Sequence, residues 1–524
     1  MTTTQDALHH PELDTVWAVP GFHAERTPDV PAIVCAGVTL DYAALHRESN
    51  RVAHALRADG IGVGDRVAYL GQESVHYYAT VFACAKLGAV LVPINFRLTA
   101  AEVDHILRDS GSRALVVDAD LRGVVDHVAA ELPGLLVRGA GPADFAEWTA
   151  AQPDSDLVPG TGGDDPVVQL YTSGTTGLPK GVVLAHRSFF AVRDALADAG
   201  ERWIDWQAGD RSLIGIPGFH VGGVWWSVQG FSAGITNVAM PRFDSAGALR
   251  LIAELGVTTA CVVPSMLRLL LGEPGADAAA FRSLRKVVYG GSPISEALLQ
   301  EALPVFDCDF AQIYGLTETG NTAVCLPPAD HVPGSPRLRA AGRPYPGLGV
   351  KVVDDSGEPL PAGEVGEVCL RTPARMLEYW GLPGATADTL VDGWLHTGDA
   401  GYLDDDGYVF ISDRIKDMII VGGENIYPTE IENAIAEHPA VADVAVIGVP
   451  DDRFGEAVHA FVALRQGATA RARDLLLFCR DRIAAFKIPS KFEFVEQVPR
   501  NPSGKVLRRE LRDRFWADRD RQVN

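Results

Sequence analysis

Leu170-Tyr-Thr-Ser-Gly-Thr-Thr-Gly-Leu-Pro-Lys-Gly-Val-Val-Leu-Ala-His186 carries an apolar strand into a loop of glycines and hydroxyls and out again through a lysine. Glycines free the backbone to curl so that several N–H groups point inward. Hydroxyls on both sides of Gly174 add donors, and Lys180 adds positive charge. That is the composition of a phosphate cradle, although a glycine-rich surface turn has a similar make-up. The chain holds no Gly-x-x-x-x-Gly-Lys-[Ser/Thr], so a phosphate-releasing ATPase of the Walker type is disfavoured.

Around this segment, short apolar runs alternate with helical patterns. Arg66-Val-Ala-Tyr-Leu-Gly, Ala89-Val-Leu-Val-Pro and Arg113-Ala-Leu-Val-Val-Asp read as strands, and residues 78–87 read as a buried helix between the first two. This alternation predicts βαβ units and a largely parallel sheet. A second α/β stretch runs from about 166 to 340. From Gly342 onward, short strands punctuated by Gly and Asp suit a small β-barrel or an antiparallel sheet. After about 417 a compact α+β unit is predicted: a helix from Thr429, strands at 441–449 and 458–464, and a helix near 471–485.

Composition sets the chemical limits. The 524 residues include 46 Lys+Arg against 68 Asp+Glu, a net charge of -22, which argues against a nucleic-acid binder. An anionic ligand must be met by locally placed cations. Residues 471–524 carry 14 Lys/Arg and 8 Asp/Glu, a local +6, so part of that charge could close over a polyphosphate bound to the acidic remainder. Seven scattered cysteines without a C-x-x-C predict reduced, buried thiols in a cytoplasmic protein, with neither disulfide nor structural metal. The N-terminus has no signal-peptide pattern, and no apolar run approaches the ~20 residues of a membrane helix.

Four further segments carry chemistry. In Gln312-Ile-Tyr-Gly-Leu-Thr-Glu-Thr-Gly320, an aromatic beside glycine suits a nucleobase face, and Thr317 with Glu318 offers oxygen ligands for Mg²⁺ on phosphate. Gly393-Trp-Leu-His-Thr-Gly-Asp399 sets a carboxylate among glycines, where it can accept from ribose hydroxyls or simply cap a turn. Asp413-Arg-Ile-Lys-Asp-Met-Ile-Ile-Val-Gly-Gly-Glu-Asn-Ile-Tyr-Pro428 joins the two parts of the chain. Pro499-Arg-Asn-Pro-Ser-Gly-Lys505 puts one lysine on a Pro/Gly-bounded loop.

In this order and spacing, the five segments resemble the adenylate-forming superfamily, and most closely its acyl-CoA synthetases; peptide-synthetase adenylation domains and luciferases share the pattern. The resemblance runs from Thr39 to Lys505. It implies an α/β fold with a large N-terminal domain (1–414) of two α/β subdomains plus a small β-barrel. A hinge (415–417) and a mobile α+β C-terminal domain (418–524) follow. By motif, Thr172, Ser173, Gly174, Thr175, Thr176, Gly177 and Lys180 form the phosphate loop. Gly290, Gly291, Ser292, Pro293, Tyr314 and Gly315 enclose adenine, and Asp399 and Arg414 hold ribose. Thr317 and Glu318 serve phosphate, with Glu318 as the metal ligand. Lys416 is the hinge, Lys505 the catalytic lysine, and Gly422 and Gly423 face the acceptor tunnel.

His220, in Ile216-Pro-Gly-Phe-His-Val-Gly-Gly-Val-Trp-Trp226, matches the acyl-pocket segment, where it would position the substrate carboxylate. A satisfied core histidine is the other reading. Trp225 and Gly291 are expected to line the same pocket. The reaction so implied is ATP-dependent activation of a carboxylic acid as acyl-AMP, with Mg²⁺ and release of pyrophosphate, followed by transfer to CoA. A carrier-protein pantetheine supplied in trans is the alternative acceptor, and a non-catalytic adenylate sensor is the rival that retention of Lys505 and Glu318 opposes. For assembly the resemblance points to a homodimer. The chain departs from the pattern at Thr372 and Glu378, where relatives carry glycine; Glu378 excludes a positive φ at low cost and adds a charge.

Overall fold

The computed structural model describes residues 8–157, 160–172, 179–201, 203–421, 424–451, 453–480, 482–501 and 504–516. Two wide sheets form the body. In the seven-stranded one, Val90–Ile94, Arg66–Leu70, Ala114–Val117 and Leu136–Gly139 run parallel to Pro166–Thr172; Lys180–Ala185 and then Glu378–Tyr379 complete one edge antiparallel. The nine-stranded one has a parallel centre of Pro31–Cys35, Thr236–Ala239, Arg211–Ile214, Thr259–Val262, Lys286–Gly290 and Asp309–Tyr314, with antiparallel strands at both edges. These central strands are near-continuous apolar runs because helices cover both faces.

The helix Val75–Leu87 shows how the sheets are joined. Ser74 caps its start by accepting from Tyr77 N–H, and Gly88, at φ +72°, ends it in the left-handed conformation. Twelve of its thirteen residues are buried, because it touches Pro31–Cys35 of one sheet and Val90–Ile94 of the other. A helix apolar all round belongs inside a core. Val221–Ser232 is buried in the same way, so Trp225 and Trp226 both lie in the main core, and the Trp226 indole N–H donates to Ser212 Oγ at 2.8 Å.

Beyond residue 342 the strands Gly349–Val353, Gly366–Arg371, Trp394–Leu403, Leu390–Val391 and Val409–Arg414 pair antiparallel. Their pairing is that of a five-stranded sheet, the second of the two arrangements their spacing allows. Glu378 lies in a regular antiparallel pair opposite Val183, so its backbone needs no positive φ, and its charge faces Arg66. The C-terminal unit has its own sheet, in which Val441–Asp451 and Gly455–Leu464 form the longest ladder, and its own apolar clusters on the two faces. The helix expected near 471–485 spans only Ala472–Arg480, and Ala485–Lys487 is a separate 3-10 turn. Ile488 is extended ahead of Pro489, which ends that turn.

All seven cysteines are free, six of them buried and Cys308 half-buried. Burial pushes every thiol up: Cys35, Cys308 and Cys369 to about 12, Cys479 to about 11, and the rest higher. Among the described residues no helix is long and apolar enough to cross a membrane.

Gly342 joins the nine-stranded sheet to the antiparallel sheet: Val409 N–H donates to its carbonyl at 2.8 Å. It sits at φ +117°, and the Cys325 carbonyl occupies the place a Cβ would take. Gly342→Ala is therefore expected to lower the melting temperature markedly, by differential scanning calorimetry. Gly347→Ala, at φ +76° with open space around it, should cost only about 1 kcal/mol or slightly more.

Candidate active site

The parallel strands of the nine-stranded sheet end at a common edge. Gly290 and Ile313 are neighbours in register, so the Gly290-Gly291 and Tyr314-Gly315 turns leave adjacent strands side by side. Ligands in open α/β sheets bind at such carboxyl ends. Glycine is required here: a Cβ on Gly290 would meet the Ile313 carbonyl at 2.5 Å, Gly291 holds φ +83°, and a Cβ on Gly315 would strike the Asn321 carbonyl. Ser292 and Pro293 follow in the same turn.

Asp399 faces this edge from the antiparallel sheet. Its Oδ2 accepts from the Tyr314 hydroxyl at 2.7 Å, and its Oδ1 lies 2.7 Å from Arg414 Nε, its partner across the strand pair. Arg414 also donates to the Thr397 carbonyl at 3.0 Å, which fixes the guanidinium. Burial pushes the Asp399 carboxyl above its ordinary range, and Arg414 opposes that rise. The turn before Asp399 is held by a residue that sequence reasoning missed. Glu367 Oε1 accepts from Gly398 N–H at 2.9 Å, while its Oε2 lies 2.7 Å from His396 Nδ1. Cys369 Sγ is 3.6 Å from the same imidazole nitrogen, so the three form one hydrogen-bonded group beside the site.

The strands that flank the glycine-rich segment, Pro166–Thr172 and Lys180–Ala185, pair antiparallel. Thr172 pairs with Lys180, which closes the base of the loop between them. Ser173, Gly174, Thr175, Thr176 and Gly177 lie outside the described residues, as do Gly422 and Gly423. Lys180 Nζ stands 5.2 Å from the Tyr379 ring centroid, and the Tyr379 hydroxyl donates to Glu318 Oε1 at 2.7 Å. Glu318 is buried at the centre of the Thr317–Thr319 turn, and its carbonyl accepts from Met376 N–H at 2.8 Å. Tyr379 thus links the loop base to Glu318. Only its neighbour Glu378 stood out in the sequence.

His220 occupies the N-cap position of the helix Val221–Ser232, with no capping hydrogen bond from its side chain. Among the described residues its Nε2 is buried with no hydrogen-bond partner. Burial, with Arg97 adding to it, pushes its pKa down to about 4, so the ring is neutral. The loop ahead of it is pinned by Glu73, whose carboxylate accepts from Gly218 N–H and from the Tyr78 hydroxyl. Burial raises Glu73 to about 7.

Lys505 reaches the same region from the C-terminal unit. Gly504, at φ +79°, packs so closely on the large body that a Cβ would come 2.5 Å from Ser265 Oγ. Burial first, then Arg414, lowers the Lys505 pKa to about 8, while Asp399 pulls the other way. Lys416 sits in the 3-10 turn Ile415–Asp417, directly after Arg414, and burial lowers its pKa too. The structure therefore brings Tyr314, Asp399, Arg414 and Lys505 together. It leaves Trp225 packed in the core, in the same helix as the pocket segment.

The family of AMP-binding enzymes matches residues 22–380, and the C-terminal domain of AMP-binding enzymes matches residues 430–505. The chain is 62% identical over 520 residues to a fatty acid–[acyl-carrier-protein] ligase, ScoC, of Streptomyces coeruleorubidus, covering 99% of this chain and 100% of that one. It is 38% identical over 484 residues to the long-chain-fatty-acid–CoA ligase FadD13 of Mycobacterium tuberculosis, covering 92% and 94% of the two. In structure it is similar to ATP-bound MatB of Rhodopseudomonas palustris, with a TM-score of 0.88 at 32% identity, covering 96% and 99%. The chain belongs to the family of AMP-binding enzymes; it is an adenylate-forming acid ligase.

A lysine at about 8 loses its charge just above neutrality. The kcat/KM of adenylate formation, which reports the free enzyme, is expected to fall as pH rises through about 8. Lys505→Arg, which keeps its charge, should flatten that limb in a pH profile of acid-dependent pyrophosphate–ATP exchange.

Proposed function

We propose that this enzyme activates a fatty acid with ATP and passes the acyl group to the pantetheine thiol of a carrier protein. The observation that carries the nucleotide half is the meeting of Tyr314, Asp399, Arg414 and Lys505 at the ends of adjacent strands. A carboxylate–arginine pair beside two glycine turns suits a ribose and a flat base, and a buried lysine beyond them suits phosphate. The Gly290, Gly291 and Gly315 turns leave the close approach that adenine requires, and Ser292 and Pro293 extend that wall. Thr172, Lys180 and the loop 173–177 would hold the β- and γ-phosphates. Thr317 and Glu318 supply oxygen ligands of the kind Mg²⁺ takes, and a bound Mg²⁺ would neutralise charge on the leaving pyrophosphate.

In the first step a carboxylate oxygen of the acid bonds to the α-phosphorus, and the bond from that phosphorus to the bridging oxygen breaks, releasing pyrophosphate. Charge accumulates on the α-phosphate oxygens, where the Lys505 ammonium offsets it. His220, neutral and with a ring nitrogen that has no partner among the described residues, would hold the acid. In the second step the pantetheine thiolate attacks the acyl carbon, the carbon–oxygen bond to AMP breaks, and AMP leaves. On this reading residues 418–524 turn about the hinge at 415–417, centred on Lys416. Lys505 withdraws, and Gly422-Gly423 comes to the acceptor path.

The carrier-protein acceptor is supported by the 62% identity over the full length of a carrier-protein ligase, against 38% for the CoA ligase. CoA itself, which presents the same pantetheine thiol, is the second reading, favoured by the CoA-ligase relative. The test is a panel of fatty and aryl acids with holo carrier protein and CoA as rival acceptors. Acid-dependent exchange with a fatty acid, and a kcat/KM at least tenfold higher for the carrier, is the expected result. Equal or better use of CoA overturns the acceptor reading. In the same assay Lys416→Pro is expected to keep pyrophosphate exchange while losing most thioester formation.

A further inference from the structure

The helix Pro264–Leu271 leaves the strand next to Gly290-Gly291 and presents Ser265 and Arg268, one turn apart on one face, to the C-terminal unit. Ser265 meets Gly504. Arg268 Nη1 donates to the Ala442 carbonyl and lies 3.8 Å from Asp443 Oδ1. Asp443 is already held as a two-pronged pair by Arg500, with Nε to Oδ2 at 2.9 Å and Nη2 to Oδ1 at 2.8 Å. Arg500 in turn donates from Nη1 to the Gly504 carbonyl at 2.6 Å, and its backbone bridges to Val506 across the Lys505 turn. One unbroken series of contacts thus runs from the large body to the lysine: Arg268, Asp443, Arg500, Gly504, Lys505.

We propose that Arg268 is a positioning residue for the first half-reaction: it docks the Lys505 loop on the large body by engaging Ala442 and the Asp443–Arg500 pair. The proposal rests on the reading of Lys505 as the α-phosphate lysine. Two features favour docking over a role in folding. Arg268 is 43% exposed at its side chain, and its side-chain hydrogen bond and ion pair both go to the C-terminal unit rather than to its own domain. Its partners are 174 and 175 residues away, in the other unit, so the contact would be lost if, as proposed, that unit turns about the hinge. Arg465 and Arg500 also bear on the Arg268 guanidinium, with Glu301 and Asp443 as the opposing charges. Without Asp443 in place, those arginines would repel, so the cluster favours one register of the two units.

A contact made in one of two poses shifts the balance between them by its differential strength. Arg268→Ala, in the full-length enzyme, is expected to lower kcat for acid-dependent pyrophosphate–ATP exchange on the order of tenfold. The KM for the acid, the melting temperature and thioester formation from supplied acyl-AMP should be unchanged. Arg268→Lys, which keeps the charge but not the planar fork, should recover part of the loss. Equal losses in both half-reactions, or full exchange activity in Arg268→Ala while Lys505→Ala is inactive, would overturn the clasp alone. Intact exchange in Lys505→Ala would overturn the reading of Lys505, and the clasp with it.

Discussion

A polyphosphate cannot rest against a protein of net charge -22 unless cations are collected where its oxygens lie. That constraint organises the molecule. On the proposed reading the cations come from distant stretches of the chain: Lys180 at the start of a strand, Arg414 at the end of another, Lys505 from the last quarter. Bringing such groups together costs proton affinity: burial first, and then Arg414 and Lys416, lower the pKa of Lys505. Asp399 offsets part of that lowering, pairing with Arg414 at 2.7 Å and accepting from Tyr314 at the same distance. The site is thus assembled around one buried carboxylate.

The body supplies the rigidity that this arrangement needs. Two parallel sheets share one core through the helix Val75–Leu87, and the C-terminal unit has separate apolar clusters. Among the described residues, contacts between the large body and that unit include polar ones: Ser265 against Gly504, Arg268 on Ala442, and Asp413 accepting from Thr429 and facing Arg508. Interfaces of this kind can be remade at low cost, whereas a shared apolar core cannot.

The family and the fold class were legible because the residues proposed to handle the nucleotide sit in short, local segments. The strand–glycine–lysine pattern at 170–186, Tyr314 beside Gly315, and Asp399 between glycines each announce their chemistry within ten or so residues. What stayed hidden depends on distance along the chain. Tyr379 acts on Glu318 from 61 residues away, and Glu73 holds Gly218 across 145, so neither leaves a local trace. Glu367 stabilises the Gly398 turn across a strand pair that only the register reveals. Glu378 looked like a backbone departure, yet it lies in an ordinary strand pair, because the residue type could not say on which side of the sheet the segment would fall.

The cysteines bear on the chemistry although none of them touches it. An acyl-adenylate is a mixed anhydride that a nearby thiolate can open, and on the proposed reading the enzyme forms it next to a thiol-bearing acceptor. Every one of its own seven sulfurs is wholly or partly sequestered, and each is held in the protonated form well beyond neutral pH. Each of the seven is thereby a poor nucleophile near neutral pH, which would spare the chain self-acylation if, as proposed, the acceptor thiol is supplied from outside it.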